Sequence, residues 1–110
     1  MKDWPETYYA CIFTSQRSDA GDDLYPLISK KMVDLATQQD GFLGVESVRD
    51  DEGLGITVSY WRSREDIATW GQHAEHRVAM DLGRTEFYEW FQLRIAEVST
   101  TRNFGVEEAE

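Results

Sequence analysis

Cysteine and proline are scarce in this sequence, and long apolar runs are absent. The single cysteine, Cys11, excludes a disulfide within the chain, and a lone thiol fits the reducing cytosol. Cys11 stands inside an apolar run, which favours a buried, inert thiol over a nucleophile. No stretch approaches the roughly 20 apolar residues of a membrane span, and residues 1–5 lack the apolar core of a signal peptide. We therefore expect a cytoplasmic protein that does not contact membranes.

Positive charge is also in short supply. The chain has 11 Lys and Arg against 21 Asp and Glu, a net charge of −10, which repels the phosphates of nucleic acids. Hydrolase and nucleotide-binding signatures are missing, since there is neither a Gly-x-Ser-x-Gly elbow nor a Gly-rich phosphate loop. At 110 residues the chain has room for one domain, which we place over the whole sequence, with a core over residues 8–99 and a polar tail over residues 100–110.

Four segments have the aromatic and β-branched composition of strands. They are predicted at residues 8–15, 42–48, 55–61 and 87–98, the last with room for a helical turn at its start. The second and third are joined by a hairpin-type turn in which Gly53 can take a positive φ angle.

Apolar residues at spacings of three and four predict two helices. The first has Pro26 in its first turn, where a proline is tolerated, and closes by Gly41. The second begins at Ser63, which has a carboxylate three residues on, as in a capping box, and ends at Gly83. The predicted apolar stripes are Leu24, Leu27, Ile28, Met32 and Leu35 on the first helix, and Ile67, Trp70, Ala74 and Val78 on the second.

The resulting order, β-α-β-β-α-β, is that of the ferredoxin-like α+β fold, a four-stranded antiparallel sheet with both helices on one face. The strands carry apolar residues on both sides, however. In the first strand Tyr8 and Ile12 alternate with Tyr9 and Phe13, and in the last strand Tyr88 and Trp90 are expected on one side. Because two helices cover one face only, a second copy of the chain is expected to cover the other, as in a dimeric α+β barrel. The alternative is a monomer whose large aromatics lie at the sheet edges.

An ordered set of short segments resembles the antibiotic biosynthesis monooxygenase (ABM) family over about residues 8–99. The segments are Gly41-Phe42-Leu43-Gly44-Val45-Glu46, Val58-Ser59-Tyr60-Trp61 with Glu65, Trp70 with His73, Glu75 and His76, and Gly83-Arg84 with Tyr88. The resemblance implies a homodimeric barrel that oxidises a small aromatic or polyketide-like molecule with dioxygen, without flavin or metal. The family also includes relatives that cleave haem and members without an established activity.

The haem-cleaving relatives use an asparagine on the first strand, a tryptophan on the second helix and a histidine ten residues later. Trp70 matches the tryptophan, but Met80 stands at the histidine position and the first strand has no asparagine. His76 lies one helical turn before Met80. The resemblance therefore disfavours haem, and no cofactor or metal is expected.

The candidate site residues follow from the resemblance and from their chemistry. His76 is the candidate general base and Trp70 a wall of the active site, because imidazole titrates near neutral pH. The candidate substrate-binding residues are His73, Arg84, Tyr88, Trp61 and Phe13, to which Trp90 adds a further aromatic. Each has a plainer interpretation: the aromatics as core, the histidines on a helix surface, and Arg84 in an ion pair with a nearby acid. A dimer that binds a small hydrophobic molecule without catalysis, and a haem-degrading monooxygenase, are the alternative functions.

Overall fold

The structure, a computed structural model, describes residues 4–106, apart from the side chain of Ala74. Residues 1–3 and the last four residues of the predicted tail therefore lie outside it. The elements in chain order are β1 (Tyr8–Arg17), α1 (Tyr25–Ala36), β2 (Phe42–Arg49), β3 (Leu54–Trp61), α2 (Arg64–Gly71), α3 (Ala74–Leu82), a π-helical turn (Gly83–Phe87) and β4 (Tyr88–Val98). No helix within the described residues has the length and apolar character needed to cross a membrane.

The sheet has the strand order β2-β3-β1-β4, with antiparallel pairing throughout. This is the predicted ferredoxin-like arrangement, with the second helical segment divided in two. Directly paired residues share a face of the sheet. We call the face of Tyr9, Cys11, Phe13 and Ser15 the helix face, and the face of Tyr8, Ala10, Ile12 and Thr14 the open face.

The helices lie against the helix face, where they form the main core. Ala36 of α1, Ile67 and Trp70 of α2, and Trp61 of β3 make one buried cluster. Tyr9 of β1 packs against it, together with Met32 and Leu35 of α1. The predicted α1 stripe is thus correct in its second half. It is wrong at its start, because Leu24 precedes the helix and the side chain of Leu27 is 68% exposed.

The predicted second helix is two helices. Ser63 caps α2 as expected, since its hydroxyl oxygen accepts a hydrogen bond from the backbone N–H of Asp66 at 3.1 Å. The helix then stops after Gly71, and His73, in an extended conformation, begins α3. Because this break changes the direction of the chain, one stripe cannot continue across it, and Val78 is 60% exposed. The prediction that Val78 lies on the buried face was wrong, and the side chain of Ala74 lies outside the described part.

The last strand begins through a π-helical turn, and its pairing with β1 is irregular. Ser15 pairs with Phe91 and Gln16 with Trp90, but Arg17 pairs with Tyr88, so one extra residue of β4 forms a bulge. This extra residue places Tyr88 on the helix face and leaves Trp90 on the open face. The prediction that both rings share one side of the sheet was therefore wrong.

Apolar residues lie on both faces of the sheet, and the chain itself covers one end of the open face. The ring of Trp4 lies 5.1 Å from the ring of Tyr8 and 5.4 Å from that of Tyr60. A Cβ atom on Gly44 would come within 2.9 Å of the Trp4 ring, so this position accommodates Trp4 only as glycine. The rest of the open face keeps exposed apolar side chains, namely Val48, Leu54, Ile56 and Trp90.

Candidate functional site

The helices do not close over the β4 side of the helix face. Leu93 and Ile95 of β4 are 50% and 48% exposed there, and Cys11 and Phe13 of β1 are only partly buried. The result is an open apolar groove between the helices and the sheet. We call it the helix-face cleft, and its floor consists of Cys11, Phe13, Phe91, Leu93 and Ile95.

Two open concavities lie elsewhere. One of about 460 Å³ is at the end of the open face, between the segments around Trp4 and Thr101. The other, about 180 Å³, is a depression on α3 beside Met80 and Arg84. Neither contains a candidate base. We place the site in the helix-face cleft because chemistry-bearing side chains converge there, although it is open along β4.

A stack of two tryptophans forms one end of the cleft. Trp61 is fully buried, its indole N–H donates to the hydroxyl of Ser59 at 2.9 Å, and its ring stacks on Trp70 with centroids 6.3 Å apart. The cap at Ser63 fixes the start of α2, so Trp70 comes back over the sheet two turns later. Both predicted residues thus belong to the buried core beneath this end of the cleft.

Both histidines lie against Trp70. The imidazole of His76 is 4.5 Å from the indole, centroid to centroid, and that of His73 is 5.5 Å from it. The Nδ1 atoms of both rings are buried and have no hydrogen-bond partner among the described residues. An unpaired buried polar atom costs free energy, so a ligand group that came within reach of either Nδ1 would gain a hydrogen bond there.

The electrostatics keep His76 neutral. Burial, and secondarily the charge of His73, lowers the pKa of His76 below its ordinary value of 6.5. Glu75 does not compensate, since its carboxylate pairs with Lys31 on α1 at 2.8 Å. Within residues 4–106 no three His, Cys, Asp or Glu side chains lie close enough together to hold a metal ion.

Tyr88 and Phe13, two further predicted residues, meet near the other end of the cleft. Their ring centroids are 5.3 Å apart, which the β4 bulge makes possible. The hydroxyl of Tyr88 donates to that of Tyr25 on α1 at 3.2 Å. Burial, and then this hydrogen bond, raises the pKa of Tyr88 well above its usual value, so the phenol keeps its proton.

Two residues that the sequence did not single out complete this end. Tyr25 receives the Tyr88 hydrogen bond, and the guanidinium of Arg49 reaches the same hydroxyl at 3.3 Å. A side chain at Gly55, the cross-strand partner of Arg49, would collide with the guanidinium, so glycine is what lets Arg49 lie across the sheet. The sequence feature that could have indicated Arg49 is its position directly opposite Gly55 in the predicted hairpin.

Arg84 does not join either group. Its side chain is largely exposed and forms an ion pair with Asp81 at 3.5 Å, the plainer interpretation of this residue. Its guanidinium carbon is 5.8 Å from the ring centroid of Phe91, at the edge of the cleft floor. Arg84 can therefore contact a molecule at the rim of the cleft.

The two ends of the cleft are separated by about 13 Å along β1. At one end, Cys11 of β1 pairs with Ser59, which accepts the hydrogen bond of the Trp61 indole. At the other end, Ser15 of β1 accepts a hydrogen bond from Arg49. Cys11 and Ser15 are four residues apart, and a strand rises roughly 3.3 Å per residue. A fused aromatic molecule has dimensions of this order. The cleft thus offers an apolar floor, an imidazole at one end and hydroxyl and guanidinium donors at the other.

Comparison with known proteins identifies the family and the fold. The profile of the family described as antibiotic biosynthesis monooxygenase matches residues 10–82. A Bacillus subtilis (strain 168) protein, YqjZ, whose name states that it is uncharacterized, is 48% identical over 88% of this chain and 84% of its own length. The jasmonate monooxygenase ABM of Pyricularia oryzae is 27% identical over 84% of this chain, which spans only 44% of that relative.

The fold is shared with solved structures at much lower identity. A protein structure from Shewanella oneidensis superimposes with a TM-score of 0.73 at 7% identity, covering 86% of this chain and 93% of the other. With a family profile matched over most of the domain, the chain belongs to the antibiotic biosynthesis monooxygenase family.

Proposed function

We propose that this protein is a monooxygenase that oxidises a small electron-rich aromatic or polyketide-like molecule with dioxygen, in the helix-face cleft and without a flavin or metal. The observation that carries the proposal is the pair of Nδ1 atoms of His73 and His76 beside Trp70, which are buried and have no hydrogen-bond partner among the described residues. A general base needs a neutral imidazole, and the lowered pKa keeps His76 neutral.

In this mechanism His76 removes a proton from an activated C–H group of the substrate, such as the methylene of an anthrone. The carbanion transfers one electron to dioxygen, and the radical pair combines to form a C–O bond to a peroxide. The peroxide takes back the proton; removal of the second C–H proton then forms the carbonyl as the O–O bond breaks, and the departing hydroxide takes up that proton to become water. One oxygen atom ends in the product and the other in water, so the substrate supplies all four electrons that reduce dioxygen.

The surroundings of His76 favour the anionic step over the ground state. Trp61 and Trp70 exclude water from one side of the reacting carbon, which strengthens hydrogen bonds inside the cleft. In this mechanism His73, whose Nδ1 has no partner among the described residues, donates a hydrogen bond to the developing oxyanion. From the Pyricularia oryzae relative we take the reaction class alone, since this chain spans less than half of it.

The oxygen-uptake experiment uses anthrone with the wild-type protein, His76→Ala, His73→Ala and Glu75→Gln. Glu75 is the matched control, because it lies on the same helix but pairs with Lys31. We expect the loss of the base to lower kcat about 100-fold or more, with Glu75→Gln unchanged. Equal rates for wild type and His76→Ala would contradict the proposed base.

A binding protein without catalysis is the second candidate, supported by the apolar and largely open floor of the cleft. If no electron-rich aromatic causes oxygen uptake while anthrone still binds, this candidate replaces the first. Haem degradation fits less well, because Met80 stands where the haem-cleaving relatives have histidine, and His76 packs against Trp70 at 4.5 Å. A Soret shift on titration with haemin would restore it.

We further propose that a second copy of the chain covers the open face, forming a dimer. Val48, Leu54, Ile56 and Trp90 leave an apolar surface there that water solvates poorly. Sedimentation velocity at micromolar concentration should give a dimer, and Ile56→Arg should give monomers. Leu27→Arg, which adds the same charge to an exposed leucine of α1, is the control and should remain dimeric. A wild-type protein that sediments as a single chain would refute the dimer.

A further inference from the structure

Arg49 carries a charge that no carboxylate neutralises among the described residues. Its guanidinium is held by neutral acceptors only: the backbone oxygens of Ser15 and Gly53 and the hydroxyls of Ser15 and Tyr25. The other described arginines without a carboxylate partner, such as Arg62 and Arg94, are exposed to solvent, whereas Arg49 is half-buried. The neighbouring Arg17, by contrast, is paired with Asp22 at 2.9 Å.

The hydroxyl groups around Arg49 leave a donor free. The hydroxyl oxygen of Tyr25 accepts hydrogen bonds from Tyr88 and from Arg49, but within residues 4–106 its own proton has no acceptor. The Nε–H of Arg49 likewise has no partner there. One positive charge and a free phenolic proton are the groups that bind a carboxylate.

We infer that Arg49, Tyr25 and Tyr88 form an anion subsite at the end of the cleft away from Trp70, and that the ligand is an apolar molecule bearing one carboxylate. The inference rests on the proposed function, because it takes the helix-face cleft as the ligand site. The spacing of about 13 Å along β1 leaves the apolar body over Phe13 and Cys11, with its far end at Trp70 and His76.

The subsite would also orient the reaction. A carboxylate fixed at Arg49 places the opposite end of an elongated ligand against the imidazole of His76, so one carbon is presented to the base. A neutral analogue of the same shape could bind in either direction. The subsite therefore determines both affinity and the position of oxidation.

The experiment compares two probes that share a ring system, 2-naphthylacetate and 2-naphthylethanol, by isothermal titration calorimetry at neutral pH. The wild-type protein should bind the acid about tenfold or more tightly than the alcohol, since a charge-assisted hydrogen bond is stronger than a neutral one. Arg49→Gln should abolish this preference, because it weakens binding of the acid much more than binding of the alcohol. Arg62→Gln removes the same charge from an exposed position and should keep the preference.

Tyr25→Phe tests the subsite independently, in case Arg49→Gln disturbs the β2–β3 hairpin. It keeps the ring that Arg17 contacts at 4.0 Å and removes only the hydroxyl, so a reduced preference for the acid would support the subsite. Equal binding of both probes by the wild-type protein would overturn the subsite and leave the cleft intact. Binding of neither probe, or binding that Trp70→Ala does not weaken, would overturn the cleft and with it the proposed function.

Discussion

Replacing Trp61 by alanine removes the largest fully buried side chain of the described residues. The indole fills the space between Phe42 and Trp70, with ring centroids 5.5 Å and 6.3 Å away, and its N–H satisfies the hydroxyl of Ser59. A buried tryptophan replaced by alanine typically costs about 3–5 kcal/mol. Since a domain of this size has a free energy of unfolding of about 5–15 kcal/mol, this change removes a large part of it.

Urea denaturation followed by circular dichroism measures this loss, at one protein concentration for all variants. With an m-value of about 2 kcal/mol/M, the midpoint should fall by about 2 M. Trp61→Phe keeps an aromatic ring but loses the Ser59 hydrogen bond, so its urea midpoint should lie between those of the wild-type protein and Trp61→Ala. Phe104→Ala is the matched control, because that ring is 99% exposed, and it should change the midpoint little. A loss below about 1 kcal/mol for Trp61→Ala would refute the assignment of Trp61 to the core.

Three further changes test individual positions. Gly41→Ala should destabilise the protein by more than about 1 kcal/mol in a thermal melt, because Gly41 has a φ angle of +81° and the new Cβ would collide with Asp66. In the control Gly71→Ala the new Cβ meets open space, so this change should be neutral or stabilising. His76 binds its proton more weakly in the folded than in the unfolded chain, so the free energy of unfolding should rise with pH between the lowered pKa of His76 and 6.5, and level off above 6.5. Urea midpoints measured across this pH range should depend less on pH in His76→Leu than in the wild-type protein. The same pH dependence in both proteins would contradict the burial of His76. Burial raises the pKa of Cys11, so its alkylation by iodoacetamide at pH 8, followed by mass spectrometry, should be slower than that of glutathione, and an equal rate would show an accessible thiolate.

The sequence predicted the order of elements because each depends on local chemistry. The aromatic and β-branched composition of β1, the capping box at Ser63 and the proline in the first turn of α1 act within a few residues of the chain. Such signals do not report how elements meet. The exposure of Val78 depends on how α3 packs against α1, including the Lys31–Glu75 ion pair. The one local signal of the break at His73 is Gly71, which ends α2 inside what the sequence predicted as a single helix.

Part of the candidate site could be predicted in the same way. Trp70, His73 and His76 are close in sequence, and the structure brings them together. The prediction grouped Tyr88 with Trp90 on one side of the sheet, which was wrong because the bulge opposite Arg17 shifts the alternation by one residue. Arg49 reaches the site only by lying across Gly55, a contact that depends on strand register and not on a local pattern.

The four tryptophans give the most direct test of the central claim, that a small aromatic molecule binds on the helix face. Trp61 and Trp70 lie on that side of the sheet, and Trp4 and Trp90 lie on the open side. Their indole N–H signals can be followed in a ¹⁵N–¹H NMR spectrum while 2-naphthylacetate is added. We predict that the signals of Trp61 and Trp70 shift and that those of Trp4 and Trp90 do not. Shifts confined to Trp4 and Trp90 would place the ligand on the open face and contradict the claim.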